Sequence, residues 1–320
     1  MKRVIIANPN AGSGRVKREW TTIQREIEGS LGPAEVRFTE CAGDGTRLVK
    51  ESLREGTEQI IVVGGDGSVN EAVNGWFQED GKAWNPEASL AIFPNGTGGD
   101  FARSIGLASG DRLDLFSRAS VRDIDVGRVE YTSHGGRVQR CYFANISSFG
   151  SSAVICNNVN SMSRLGKVLG GKASYAAGTV KGLVAYRNRR VRLRIDDTYE
   201  EERIINTVAV ANGRYFGGSM KVAPEALVDD GLFDIVVIGD VSLLDFVRSN
   251  GKLYRGEHLE EPGFSLMRGR KVVATPVGKS RDVLLETDGE TPGRLPVTYE
   301  VVPKALKLVA PWADAEAVTF

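Results

Sequence analysis

Ile60-Ile61-Val62-Val63-Gly64-Gly65-Asp66-Gly67-Ser68-Val69-Asn70-Glu71 is the stretch from which the fold is read. Four β-branched apolar residues predict a strand buried on both faces, and the three glycines after it let the chain turn hard at the strand's carboxyl end. Val69, Ala72, Val73 and Trp76 then fall on one face of a helix. The first amides of that helix, with the glycine N–H groups, point where a phosphate could sit. Asp66 would repel a bare phosphate unless a divalent cation lay between them, so a magnesium nucleotide fits better than a phosphate ester. The competing reading is an ordinary turn between strand and helix.

The same strand, loop, helix sequence recurs on either side. Residues 4–7 read as a buried strand closed by Asn8-Pro9-Asn10-Ala11-Gly12-Ser13-Gly14-Arg15, and Trp20, Ile23 and Ile27 give the next segment a helical stripe. Gly12 and Gly14 do not complete a dinucleotide fingerprint, so no nicotinamide site is expected. Val36 and Phe38 suggest a second strand ending at Thr39, and 46–54 a second helix. Ser89 to Phe93 is a further buried strand, followed by Pro94-Asn95-Gly96-Thr97-Gly98-Gly99-Asp100-Phe101-Ala102-Arg103, another glycine-rich turn entering a helix. In an alternating β/α domain ligands collect beyond the strand carboxyl ends, so the two glycine turns and the Asn8–Arg15 loop can face one cleft.

After a helical stretch around Leu113–Phe116 the texture changes. Residues 123–129 and 190–195 alternate polar with apolar, the pattern of half-solvated strands. Further strands are expected at 206–211, 233–238, 271–275, 283–286 and 306–309, with helices limited mainly to about 172–186 and 242–254. The prediction is an α/β chain of two domains: a nucleotide-binding α/β domain over 1–126, to which about 306–320 returns, and a mostly antiparallel β-rich domain over 127–305.

The 320 residues allow two cores, and 41 basic against 41 acidic residues give no net pull toward nucleic acid. The charge is unevenly placed: between Arg137 and Arg194 there are eleven basic residues and no acidic one. Cys41, Cys141 and Cys156 have no metal-ligand spacing and leave one unpaired in any disulfide scheme, which fits a reducing, cytoplasmic setting. The apolar run at the amino terminus stops at Asn8-Pro9, too short for a signal-peptide core, and nowhere do eighteen apolar residues follow one another, so the chain reads as soluble. His134 and His258 have no partner motif. Nothing in the sequence sets an oligomeric state.

Over nearly its whole length the chain resembles the diacylglycerol kinase catalytic family, in particular the soluble bacterial lipid kinases. Asn8-Pro9 with Gly12 is similar to the family's opening loop. Residues Gly64 to Glu71 match its signature, with Ser68 where threonine is usual, and Pro94 to Arg103 match the second block, with Gly99 where asparagine is usual. Asn212-Gly213-Arg214-Tyr215-Phe216-Gly217-Gly218, Ala223-Pro224 through Asp229-Asp230-Gly231, and Asp288-Gly289-Glu290 follow in the family's order.

The resemblance implies a phosphofructokinase- or NAD-kinase-like nucleotide domain, a carboxyl-terminal β-sandwich carrying a lipid acceptor, and ATP with Mg²⁺ in the cleft between them. It implies nucleotide contacts from Asn8, Thr39, residues 64–71, Asn95, Gly96 and Thr97, with Arg15 as a phosphate clamp. Asp66, Asp100 and Asp125 would hold Mg²⁺ through waters. As a turn carboxylate outside any core, Asp66 should be removable without harm to the fold. Either Glu290 or Asp288 would be the proton acceptor, and the alternative for both is a hairpin turn with two solvated acids. Leu227, Asp230 and Leu232 resemble a second, structural metal loop. Two rivals stand beside a lipid kinase: a kinase of a soluble alcohol, and a non-catalytic lipid-binding protein on the same fold. A soluble lipid kinase must also reach a bilayer, and the basic run with Arg164, Lys167 and Lys172 among Met162, Leu165, Val168, Leu169 and Tyr175 is the expected contact with an anionic membrane.

Overall fold

The computed structural model describes residues 1–96, 98–107, 119–165, 186–241, 249, 251–278 and 282–312, with side chains in the third span described to Ser161. Four strands, β1 (Arg3–Ala7), β2 (Glu35–Phe38), β3 (Gln59–Gly64) and β4 (Ser89–Pro94), lie parallel in the order β4-β3-β1-β2. The apolar runs of β1, β3 and β4 are buried because helices cover both faces of a parallel layer. Those helices are α1 (Ala11–Leu31), α2 (Asp44–Arg54), α3 (Asp66–Trp76) and the short α4 (Asp100–Ser104). The start of α1 is a run of left-handed residues, Gly12, Ser13 and Gly14, so regular helix begins only after the loop has closed over Asn95. A Cβ on Gly12 would stand 2.8 Å from the Asn95 carbonyl.

The remaining strands are β5 (Ser120–Ser133), β6 (Val138–Phe143), β7 (Ile146–Gly150), β8 (Arg189–Ile195), β9 (Tyr199–Ile205), β10 (Thr207–Ala211), β11 (Phe233–Ile238), β12 (Phe264–Gly269), β13 (Lys271–Pro276), β14 (Leu284–Thr287) and β15 (Glu290–Ala310). They pair antiparallel with one another and close around a second core that includes Val129, Phe143, Phe149, Phe233, Leu285 and Tyr299. Among the described residues all fifteen strands form one mixed sheet. The junction is made by β15, 21 residues long, whose Lys307–Val309 run parallel to Ser89–Ala91 of β4 while its earlier part pairs with β14, β13 and β5. β5 crosses with it, so position 126 falls inside a strand.

Several local expectations change. Ile124, Asp125, Val126 and Gly127 are buried in a row, so β5 is not half-solvated there. β9 reads as a run of acids, Glu200-Glu201-Glu202, yet is a strand, and its register sets Glu200 and Glu202 opposite Arg194 and Arg192 of β8. One helix, α5 (Ser151–Leu165), has no clean apolar stripe in its serine- and asparagine-rich sequence and was not expected. The helices expected near Leu113–Phe116 and over about 172–186 lie outside the described residues except for Tyr186, which is not helical, as does most of 242–250; residues 251–255 are helical.

Candidate active site

Turns after β1, β3 and β4 meet at one end of the parallel layer. Gly65 and Gly96 lie backbone against backbone: a Cβ on Gly96 would come within 2.5 Å of the Gly65 Cα. Only two glycines allow the loops to approach so closely, and both line a cleft of about 930 Å³. Asn8, Thr39, Gly65, Asp66, Gly67, Ser68, Asn70, Glu71 and Gly96 line it from the amino-terminal layer, and Asp288 and Glu290 from the sandwich. Thr97 lies outside the described residues.

Asp288 and Gly289 form the two-residue loop of the β14–β15 hairpin, with Thr287 opposite Glu290. Both have positive φ, 45° and 89°, as a type I′ turn requires, and Asp-Gly is a preferred sequence for it. The carboxylate is not a solvated one, however. Asp288 Oδ1 accepts the Ile146 N–H at 3.0 Å, Oδ2 accepts the Ala144 N–H at 3.1 Å, and Asn70 Nδ2 of α3 lies 3.5 Å from Oδ2. Burial pushes its pKa up to about 7 despite those donors. Glu290 is exposed on the far side of Gly289. The turn thus joins the sandwich to α3 through Asp288 and presents Glu290 to the cleft.

Other expected site residues are occupied elsewhere. Asp66 Oδ2 accepts the Gly99 N–H at 2.8 Å and Oδ1 the Phe101 N–H at 3.2 Å, so this cleft residue also caps α4 and is not indifferent to the fold. Glu71 does the same for α2 through the Gly43 and Gly45 amides, at 2.8 and 2.7 Å. Arg15 donates Nε to Asn95 Oδ1 at 2.7 Å, tying two loops together, and neither residue lines the cleft; nor do Gly64 and buried Val69.

Two further expected carboxylates are held by backbone amides. Asp100 is buried, and its two oxygens accept the Gly218 and Ser219 amides at 2.9 and 2.8 Å, locking α4 to the sandwich and away from the cleft. Asp125 is fully buried and accepts from Gly231 N at 2.6 Å and Lys304 N at 2.8 Å. Burial raises the pKa of both, opposed by those amides. At the second loop the Asp230 carboxylate takes the Leu232 N–H at 3.0 Å and the guanidinium of Arg268, which also holds Asp234 at 2.7 Å; Leu227 is exposed. Arg268 thus bridges Asp230 and Asp234. Among the described residues no group of three or more His, Cys, Asp or Glu is disposed to hold a metal.

Glu40, Cys41 and Gly43 beyond β2, and Asn160 of α5, also line the cleft and were not expected. Glu286 was missed as well, although a lone acid inside Val283-Leu284-Leu285-Glu286-Thr287 was a readable signal. It is buried, and its pKa is likewise pushed up by burial to about 7.

A parallel α/β layer whose glycine turns front a carboxylate-lined cleft, joined to an antiparallel sandwich, is the arrangement of the diacylglycerol and NAD kinases. A model of the diacylglycerol kinase catalytic domain matches residues 2–129, and one of the YegS C-terminal NAD kinase beta sandwich-like domain matches residues 145–310. A diacylglycerol kinase of Bacillus subtilis (strain 168) is 30% identical over 99% of both chains. A crystal structure of a candidate diacylglycerol kinase from Bacillus anthracis str. Sterne is 25% identical, with a TM-score of 0.72 over 97% of each chain. The fold extends to a yeast NADH kinase solved with NADH, 9% identical with a TM-score of 0.52, covering 100% of this chain and 89% of that one. The chain belongs to the diacylglycerol kinase family and is a kinase with an alcohol group as acceptor.

Proposed function

We propose that the protein transfers the γ-phosphate of ATP to a hydroxyl of a diacylglycerol-like lipid. What carries this reading is that the sandwich delivers the Asp288-Gly289-Glu290 turn into the same cleft that the phosphate-facing glycine turns line. The amides of residues 65–68 and the amino end of α3 would hold the phosphates of ATP. Mg²⁺ would come with the nucleotide as a hydrated ion, which the Asp66 carboxylate lining the cleft would help to hold. Such an ion neutralises charge on the transferring group. Asp288, with both oxygens given to backbone amides, fixes the turn, and Glu290 takes the proton of the acceptor hydroxyl.

The bilayer contact is assigned to the acid-free basic run between Arg137 and Arg194, of which the side chains at 162–185 lie outside the described residues. In the described part of the basic run, Arg192 pairs with Glu202 at 2.7 Å and Arg140 with Glu130 at 3.8 Å. No described helix is long and apolar enough to cross a membrane. Phosphate transfer from labelled ATP to diacylglycerol, related lipids and soluble alcohols, with the lipids in anionic or neutral vesicles, tests the reading. Label is expected in a lipid, faster in anionic vesicles, and Glu290→Gln should lower the single-turnover rate by about 10²- to 10⁴-fold with ATP affinity kept. Label found only in soluble alcohols, or a parental rate in the variant, would overturn it.

A further inference from the structure

We propose that Glu286 is a positioning residue for the reaction, holding the Asp288-Gly289-Glu290 turn from beneath while α5 holds it from the side. The proposal rests on the assignment of Glu290 as proton acceptor. Glu286 Oε1 accepts the Gly289 N–H at 2.6 Å. Oε2 accepts Ser148 Oγ–H of β7 at 2.5 Å, and Ser148 in turn accepts Ser152 Oγ–H of α5 at 2.8 Å. On the other side of the same glycine, the Gly289 carbonyl accepts Asn160 Nδ2–H at 2.9 Å and Cys156 Sγ–H at 3.0 Å, both from α5. The two peptide groups flanking the Gly289 Cα are therefore gripped independently, one by a strand and one by a helix.

A type I′ hairpin needs no such support, since its backbone closes its own loop. Nor does the site favour an acid. Glu286 is 7% exposed, and burial opposes its charge, as do Asp288 and Asp100. Its alternate neighbour Leu285 packs wholly in the sandwich core. An apolar residue at 286 would remove the cost of burying a carboxylate. What it could not supply is an acceptor for the Gly289 amide. That amide lies one residue from Glu290, where a shift of about 1 Å in a reacting group can cost ~10²-fold in rate.

Glu286→Leu and Glu286→Gln separate positioning from packing. Single-turnover rates, ATP affinity and melting temperature are measured for both, beside Glu290→Gln. Glu286→Leu is expected to slow transfer by at least about 10-fold with ATP affinity within about two-fold of the parent and no loss of melting temperature. Glu286→Gln, which restores the carbonyl acceptor, is expected to recover the rate to within about three-fold. A leucine variant within three-fold of the parent would overturn the proposal. So would a slow leucine variant that melts lower or binds ATP proportionately worse, or a glutamine variant as slow as leucine. A parental rate in Glu290→Gln would instead remove the proton-acceptor reading, whatever the Glu286 variants do.

Discussion

Asp66 shows how one residue can serve both the cleft and the fold. Its oxygens accept the amides of Gly99 and Phe101, and a Cβ on Gly98 would sit 2.7 Å from Oδ2, so the second glycine turn is moulded around this carboxylate. Loss of a side chain that caps a helix costs about 1 kcal/mol. Asp66→Ala is therefore expected to melt a few degrees below the parent in the absence of nucleotide, in addition to losing turnover. Asp66→Asn, which keeps one acceptor, should fall between. Equal melting temperatures for all three would show that these two bonds add nothing to stability.

At the scale of the element, the β14–β15 hairpin carries two acids, Glu286 and Asp288, with pKa values raised by burial to about 7. In the unfolded chain both ionise near 4. Below that pH both states are protonated and the acids cost nothing. Between about 4 and about 7 the unfolded chain releases protons that the folded hairpin retains, so their contribution to stability is lost as pH rises through this window. Surface acids such as Asp44 and Glu58, whose pKa values are lowered mainly by backbone hydrogen bonds, act in the opposite sense and at lower pH. The useful quantity is thus a difference. The melting temperature of Glu286→Gln minus that of the parent should grow between pH 5 and pH 8, and parallel profiles would show that Glu286 does not titrate in this range.

At the scale of the molecule, β5 and β15 run from one layer into the other, so the two cores are joined by strand backbone. Asp100, with its bonds to Gly218 and Ser219, and Asn212, whose Nδ2 donates to the carbonyls of Asp125 and Ala144, add polar ties. Unfolding either layer would break hydrogen bonds of the other, which predicts a single cooperative transition. All four tryptophans, Trp20, Trp76, Trp84 and Trp312, lie on the α/β side, whereas far-ultraviolet circular dichroism includes the sandwich strands. Fluorescence and dichroism melts are expected to superimpose. Separated midpoints would show that the layers unfold independently.

The parallel layer was legible because its information is local: a β-branched run, a glycine turn and an apolar helical stripe all fall within residues 60–76, and each specifies its own conformation. The ordered motif blocks likewise pointed to the family without any contact being known. What the sequence could not settle is where a carboxylate spends its lone pairs. Asp100 and Asp125 look like cleft acids in a linear reading, but their donors come from 118 and 106 residues away, and only the packing of sandwich loops against the α/β layer brings those amides to them. The same holds for β9, whose Glu200 and Glu202 lie opposite arginines on its neighbour, and for Glu286, whose use depends on an amide across a turn and a serine on another strand. A backbone conformation follows from the residues that adopt it, while the burial, partner and charge state of a polar side chain are decided by distant chain that folding brings alongside.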